Sequence, residues 1–196
     1  MLVFWKERLV YLATPKTGST AIEAALEPLA SVVIQRPPVL KHTNVRRYWQ
    51  SFAPFLERAS GEGFMVVALM REPVDWLGSW YRYRQRDGMA RPQNSTRDIS
   101  FDDFVQAYLA KERPPYADVG RQGAFLKPHE GRGADRIFPY ERIGTFVEFL
   151  EDRLNCEISL PRLNVSPEGT TELSAPTEAR LRAALAEDFA LHASLG

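Results

Sequence analysis

Cysteine occurs once in the 196 residues, at Cys156, so no internal disulfide can form and the chain suits a reducing, cytoplasmic setting. An excess of charge of one sign is also missing. The 25 Lys and Arg balance 25 Asp and Glu, and no basic run stands out, which leaves extended nucleic-acid binding without support. The longest apolar run, near 64–70, is far too short to span a bilayer. Met1-Leu-Val-Phe-Trp5 has no basic segment ahead of a long apolar core, so no signal peptide is expected. No His/Cys/Asp cluster has metal-ligand spacing, and Gly131 with Gly133 does not make a dinucleotide fingerprint. The length fits one domain, 1–196, with a substantial core.

What is present is concentrated near the start of the chain. Arg8-Leu-Val-Tyr-Leu-Ala13 is a short β-rich apolar run, broken by Pro15 and Gly18. Ala21-Ile-Glu-Ala-Ala-Leu26 then offers strong helix formers, with Ile22, Ala25 and Leu26 at helical spacing. A strand, a loop and a helix start follow. In such a turn the N–H groups of Thr17, Gly18, Ser19 and Thr20 converge at the positive end of the helix dipole, where an anion is favoured. Lys16 adds a full charge, and the hydroxyls of Thr17, Ser19 and Thr20 add donors. The nucleotide-triphosphate pattern G-x-x-x-x-G-K-[ST] is absent, because Lys16 precedes the only glycine of the loop.

A second segment has the same grammar. Gly63-Phe-Met-Val-Val-Ala-Leu-Met70 is a continuous apolar run, as in a strand buried on both faces of a parallel sheet. Arg71-Glu-Pro73 ends it, and a helix can run from Val74 to Arg84 with Pro73 in its first turn. Arg71 thus falls at the carboxyl end of a strand, where open α/β sheets bind ligands, and Ser79 lies eight residues further on.

Pro15-Lys-Thr-Gly-Ser-Thr20 resembles the loop with which sulfotransferases hold the 5′-phosphosulfate of 3′-phosphoadenosine 5′-phosphosulfate (PAPS). The Arg71/Ser79 spacing, with Trp80, Tyr81 and Arg82 after it, is similar to that family's 3′-phosphate motif. An Arg fork and a hydroxyl suit a phosphate monoester. The segments 135–143, 146–150, 160–166 and 186–191 also resemble the carbohydrate-type members, although only the two phosphate motifs are specific.

The resemblance implies a three-layer α/β/α fold with a mainly parallel central sheet, of the P-loop-kinase-like kind. It also implies sulfuryl transfer from PAPS, without a metal, to a hydroxyl or amine of a small-molecule or carbohydrate acceptor. A bacterial, cytoplasmic protein is the expected setting, since the eukaryotic Golgi relatives carry a membrane anchor before the catalytic domain. Lys16, Thr17, Gly18, Ser19 and Thr20 would hold the 5′-phosphate side, with Lys16 also stabilising the leaving phosphate. Arg71 and Ser79 would hold the 3′-phosphate. His42 would be the general base, a task that suits a group titrating near neutrality. For Thr17, helix capping competes with ligand contact.

Alternatives stay open at this level. His129 and His192 are weaker bases. Glu23 reads as a solvated helix residue and Glu72 as the charge partner of Arg71. Trp76, Trp80, Tyr81 and Tyr83 fit a core as well as an adenine or acceptor contact, and Arg132-Gly133 fits a solvated loop as well as a nucleotide contact. Arg162, Asn164 and Ser166 have no clear role. A nucleotide kinase and a non-catalytic nucleotide-binding module are the rival functions; the missing Walker lysine disfavours the first.

The remaining pattern alternates strands and helices. A strand is expected at Ser31-Val-Val-Ile34 and a helix over 45–59 that turns Trp49, Phe52, Phe55 and Leu56 to the core. Loops are expected over 86–98 and 130–133. A helix capped by Ser100 should run over 101–111, and a last amphipathic helix over 177–191.

Overall fold

The computed structural model describes residues 1–86, 91–161 and 170–195. Gly88 of the expected loop, and Arg162, Asn164 and Ser166, lie outside these. In chain order the elements begin with β1 (Leu2–Phe4), β2 (Leu9–Leu12), α1 (Ser19–Leu26) and β3 (Val32–Val33). Helices α2 (Pro38–Lys41), α3 (Val45–Arg47) and α4 (Ala53–Ser60) then lead to β4 (Met65–Met70). Next come α5 (Pro73–Arg84), α6 (Phe101–Leu109), α7 (Gln122–Leu126) and β5 (Arg136–Pro139). The chain closes with α8 (Ile143–Leu154), α9 (Ala175–Ala184) and α10 (Ala186–Ala193). Among the described residues, 1–71, 122–161 and 195 form one compact unit, and 72–86, 91–121 and 170–194 form a second.

The first unit carries the five-stranded sheet, in the order β3-β1-β2-β4-β5. β2 pairs with β4, and β4 with β5, in parallel, but β1 is antiparallel to both β2 and β3. The sheet is therefore mixed, where the sequence had suggested a mainly parallel one. The cause is β1, too short to show a periodic signal and joined to β2 by the Trp5–Arg8 turn, in which Arg8 takes φ 53°. So short a connection permits only antiparallel pairing.

Strand residues of one parity, among them Leu9, Tyr11, Val67, Leu69 and Phe138, share a fully packed core with Ile22 and Leu26 of α1 and Phe146 and Leu150 of α8. Their alternates Val10, Leu12, Val66, Ala68 and Met70 are equally buried, so both faces of the central strands are covered. The chain leaving β2 returns to the β3 edge, while the chain leaving β4 ends in β5 on the opposite edge. Connections therefore diverge beyond the carboxyl ends of β2 and β4, the place where open α/β sheets form a ligand crevice.

The stretch 45–60 is helical as expected, but its phase differs. Residues Tyr48–Phe52 form a π-turn, with the Ala53 N–H bonding to the Tyr48 carbonyl. One extra residue per turn shifts the buried face: Leu56 is buried as expected and Ala53 joins it, but Trp49 and Phe52 are only half-buried and Phe55 is 67% exposed.

The second unit is helical among its described residues. Trp76, Leu77 and Tyr81 of α5 pack with Phe101, Phe104, Val105 and Tyr108 of α6 and with Leu181 and Leu185. Ser100 caps α6 by accepting the Asp103 N–H, worth about 1 kcal/mol. The expected single closing helix is two, α9 and α10, because Leu185 departs from helical geometry at φ −110°, ψ 26° while its side chain stays in the core.

Candidate functional site

The parallel register sets Leu12 against Ala68, so the loop after β2 and the residue after β4 leave the carboxyl ends of two adjacent central strands. That loop is tightly built. The Thr14 N–H bonds back to the Leu12 carbonyl at 3.0 Å, and the buried Thr17 hydroxyl donates to the Thr14 carbonyl at 2.9 Å. Thr17 thus neither caps the helix nor offers its hydroxyl proton outward. Lys16 sits at φ 65° and Gly18 at φ 71°. A left-handed lysine is costly, and such strain concentrates where a loop is held for a purpose.

Gly18 is required twice over. Its φ suits glycine, and a Cβ there would lie 3.2 Å from Cε2 of Tyr140. Gly18 precedes α1 with no side-chain cap. Ser19 and Thr20 open that helix, so their N–H groups have no intrahelical acceptor and lie at the positive end of its dipole.

Arg71 is locked to this loop. Its Nη1 donates to the Lys16 carbonyl at 3.2 Å, and its guanidinium lies 4.7 Å from the Tyr140 ring centroid. Its own peptide groups are held by Gln122, which is 2% exposed: the Arg71 N–H donates to Oε1 at 3.0 Å, and Nε2 donates to the Arg71 carbonyl at 2.8 Å. Two residues that sequence reasoning passed over, Gln122 and Tyr140, therefore frame the arginine. Tyr140 directly follows β5, so the rule that ligands meet the carboxyl ends of strands could have flagged it. Gln122 had no such signal.

His42 comes into the same assembly. It follows α2, and its Nδ1 lies 2.7 Å from the carbonyl oxygen of Ala13, the residue after β2. A carbonyl only accepts, so Nδ1 carries the proton and Nε2 of the neutral ring keeps its lone pair. Burial lowers the His42 pKa from its ordinary value, opposed by the Ala13 hydrogen bond; Lys41 lowers it further and Glu23 raises it.

Glu23 is not a solvated residue. At 2% exposure it pairs with Lys41 Nζ at 2.7 Å and with the Met1 amino group at 3.3 Å. Lys41 also reaches the Thr20 hydroxyl at 3.5 Å. Glu72 caps α5 by accepting the Asp75 N–H at 2.8 Å.

Other sequence candidates are placed elsewhere. Ser79 lies on α5 in the second unit and is 5% exposed. Trp76 and Tyr81 belong to that unit's core, with Trp80 packed against it. Arg132 is engaged by Glu57 at 2.7 Å and lies over the Trp49 ring at 3.7 Å. His129 neighbours Glu130 at 3.7 Å, and His192 is on α10.

The chain matches no family model, no curated protein and no solved structure. Among the described residues, no helix is long and apolar enough to cross a membrane.

Proposed function

We propose that this protein is a PAPS-dependent sulfotransferase acting on a hydroxyl or amine of a small-molecule or carbohydrate acceptor. The observation that carries the reading is the union, at the carboxyl ends of the central strands, of a strained Pro-Lys-Thr-Gly-Ser-Thr loop with two partners. The Arg71 guanidinium reaches the loop at Lys16, and the His42 ring reaches its root at Ala13. The donors fit the group: N–H groups at a helix start and two cations suit phosphate and sulfate oxygens.

When bound, PAPS supplies the sulfuryl group, its bond to the 5′-phosphate oxygen breaking as the acceptor oxygen or nitrogen bonds to sulfur. Neutral His42 accepts the acceptor's proton at Nε2. Lys16 faces the negative charge that collects on the departing phosphate oxygen, and the N–H groups of Gly18, Ser19 and Thr20 hold that phosphate. Arg71 is assigned to the 3′-phosphate, which its guanidinium fork suits.

Calorimetry with the product nucleotide, 3′-phosphoadenosine 5′-phosphate (PAP), tests the reading. PAP is expected to bind at least about tenfold more tightly than AMP, the worth of a charge-assisted contact to the extra phosphate. Equal affinities would remove the assignment, and Mg²⁺-dependent ATP binding would favour a kinase.

A further inference from the structure

The backbone ladder of the sheet ends one residue before the arginine that matters. β4 pairs with β5 up to Met70 opposite Pro139, and Arg71 lies just beyond. There a side chain takes over from a strand. The Gln122 amide accepts from the Arg71 N–H at 3.0 Å and donates to the Arg71 carbonyl at 2.8 Å, matching both groups as a neighbouring peptide would. Gln122 is 2% exposed, so water does not compete for these bonds.

Fixing both peptide groups of Arg71 fixes the direction of its Cα–Cβ bond, and with it the range its guanidinium can reach. The guanidinium ends on the Lys16 carbonyl at 3.2 Å and over Tyr140 at 4.7 Å. A chain of defined contacts thus runs from Gln122 through Arg71 to the strained lysine of the loop.

We infer that Gln122 is the positioning residue for Arg71 and thereby sets the selectivity of the site for a 3′-phosphorylated nucleotide. This rests on the sulfotransferase reading and adds the residue that aims its phosphate-reading arginine. Asn at this position would be one methylene too short to reach both groups, and Leu would fill the space without either bond.

The test compares the wild-type protein with Gln122→Leu and Gln122→Glu, using PAP and AMP as probes and amide hydrogen exchange as a second readout. Gln122→Leu is expected to lower the PAP-to-AMP affinity ratio about tenfold, the worth of one well-aimed charged contact, while AMP affinity changes little. Exchange of the Arg71 N–H is expected to speed up in the same variant. Gln122→Glu keeps the acceptor for the Arg71 N–H and loses the donor; it is expected to keep that N–H protected and still lose selectivity, and it carries the test if the Leu variant does not fold. An unchanged PAP-to-AMP ratio in a folded variant, with a selective wild type, overturns the inference alone. A wild type that does not prefer PAP overturns the functional reading first, and the Arg71 exchange rate then shows separately whether Gln122 holds the arginine.

Discussion

Nδ1 of His42 sits 2.7 Å from the carbonyl oxygen of Ala13, tying the ring to the strand end from which the phosphate-type loop departs. The bond fixes the tautomer, and burial keeps the ring neutral by holding its pKa below the ordinary value near 6.5. In the proposed role of general base, His42 must be deprotonated. The acidic limb of kcat/KM, which reports the free enzyme, is therefore expected below pH ~6.5. His42→Ala is expected to lower turnover by ~10²–10⁴-fold and to abolish that limb, with PAP affinity nearly unchanged. Near-normal turnover with the same pH profile would place the base elsewhere.

The same depressed pKa makes a stability prediction. The unfolded chain takes up the His42 proton near pH ~6.5, before the folded protein does, so the unfolded state binds more protons across that window. The contribution is complete above the unfolded value and is lost as pH falls through the lower folded one. Urea midpoints of the wild type are expected to fall as pH drops below ~6.5, and His42→Asn is expected to flatten that slope. Parallel curves for the two proteins would show that burial of His42 does not govern the acid side.

Lys16 combines a charge with a left-handed backbone at φ 65°, and two substitutions separate these. Lys16→Ala is expected to cost ~10²–10³ in kcat and much less in PAP affinity, as for a group acting on transition-state charge. Lys16→Gly should lose the same turnover but exceed the Ala variant in stability by about 1 kcal/mol, since glycine adopts positive φ without a Cβ penalty. Equal melting of the two variants would deny the strain. Loss of PAP binding at unchanged turnover would make Lys16 a binding residue only.

What the sequence showed was local. β4 and α5 were legible because an apolar run met a proline that fits a first helical turn, and the loop because Pro15 and Gly18 punctuate it. β1 was not legible, since Leu2–Phe4 is too short for period two to register and its pairing depends on a turn. Gln122 was invisible because its partner Arg71 is 51 positions away, and nothing near either residue encodes the contact. Glu23 was misread because a carboxylate on a helix is usually wet; only the folded chain brings Lys41 to it.

The π-turn at Tyr48–Phe52 offers a check on the phase slip that upset the expected core. Phe55→Ser is expected to leave stability within about 0.5 kcal/mol, because that ring is 67% exposed. Leu56→Ala should cost about 2–5 kcal/mol, because Leu56 is 3% exposed and its removal leaves a cavity. Denaturant midpoints ranking the two the other way would put Phe55 rather than Leu56 in the core.

The pairing of Glu23 with Lys41 tests whether the carboxylate beneath the loop is tolerated only because it is neutralised. Glu23 is 2% exposed and Lys41 Nζ stands 2.7 Å away, so removing the cation leaves a buried negative charge with its chief compensation gone. Breaking one side of such a pair is far worse than removing both, since the stranded charge keeps its desolvation cost. Lys41→Met is expected to destabilise by about 3 kcal/mol, and Glu23→Gln combined with Lys41→Met to recover much of that loss. A double-mutant cycle in urea measures the coupling. If Lys41→Met unfolds at the wild-type midpoint, Lys41 is not what neutralises Glu23, and the Met1 amino group at 3.3 Å would carry that role.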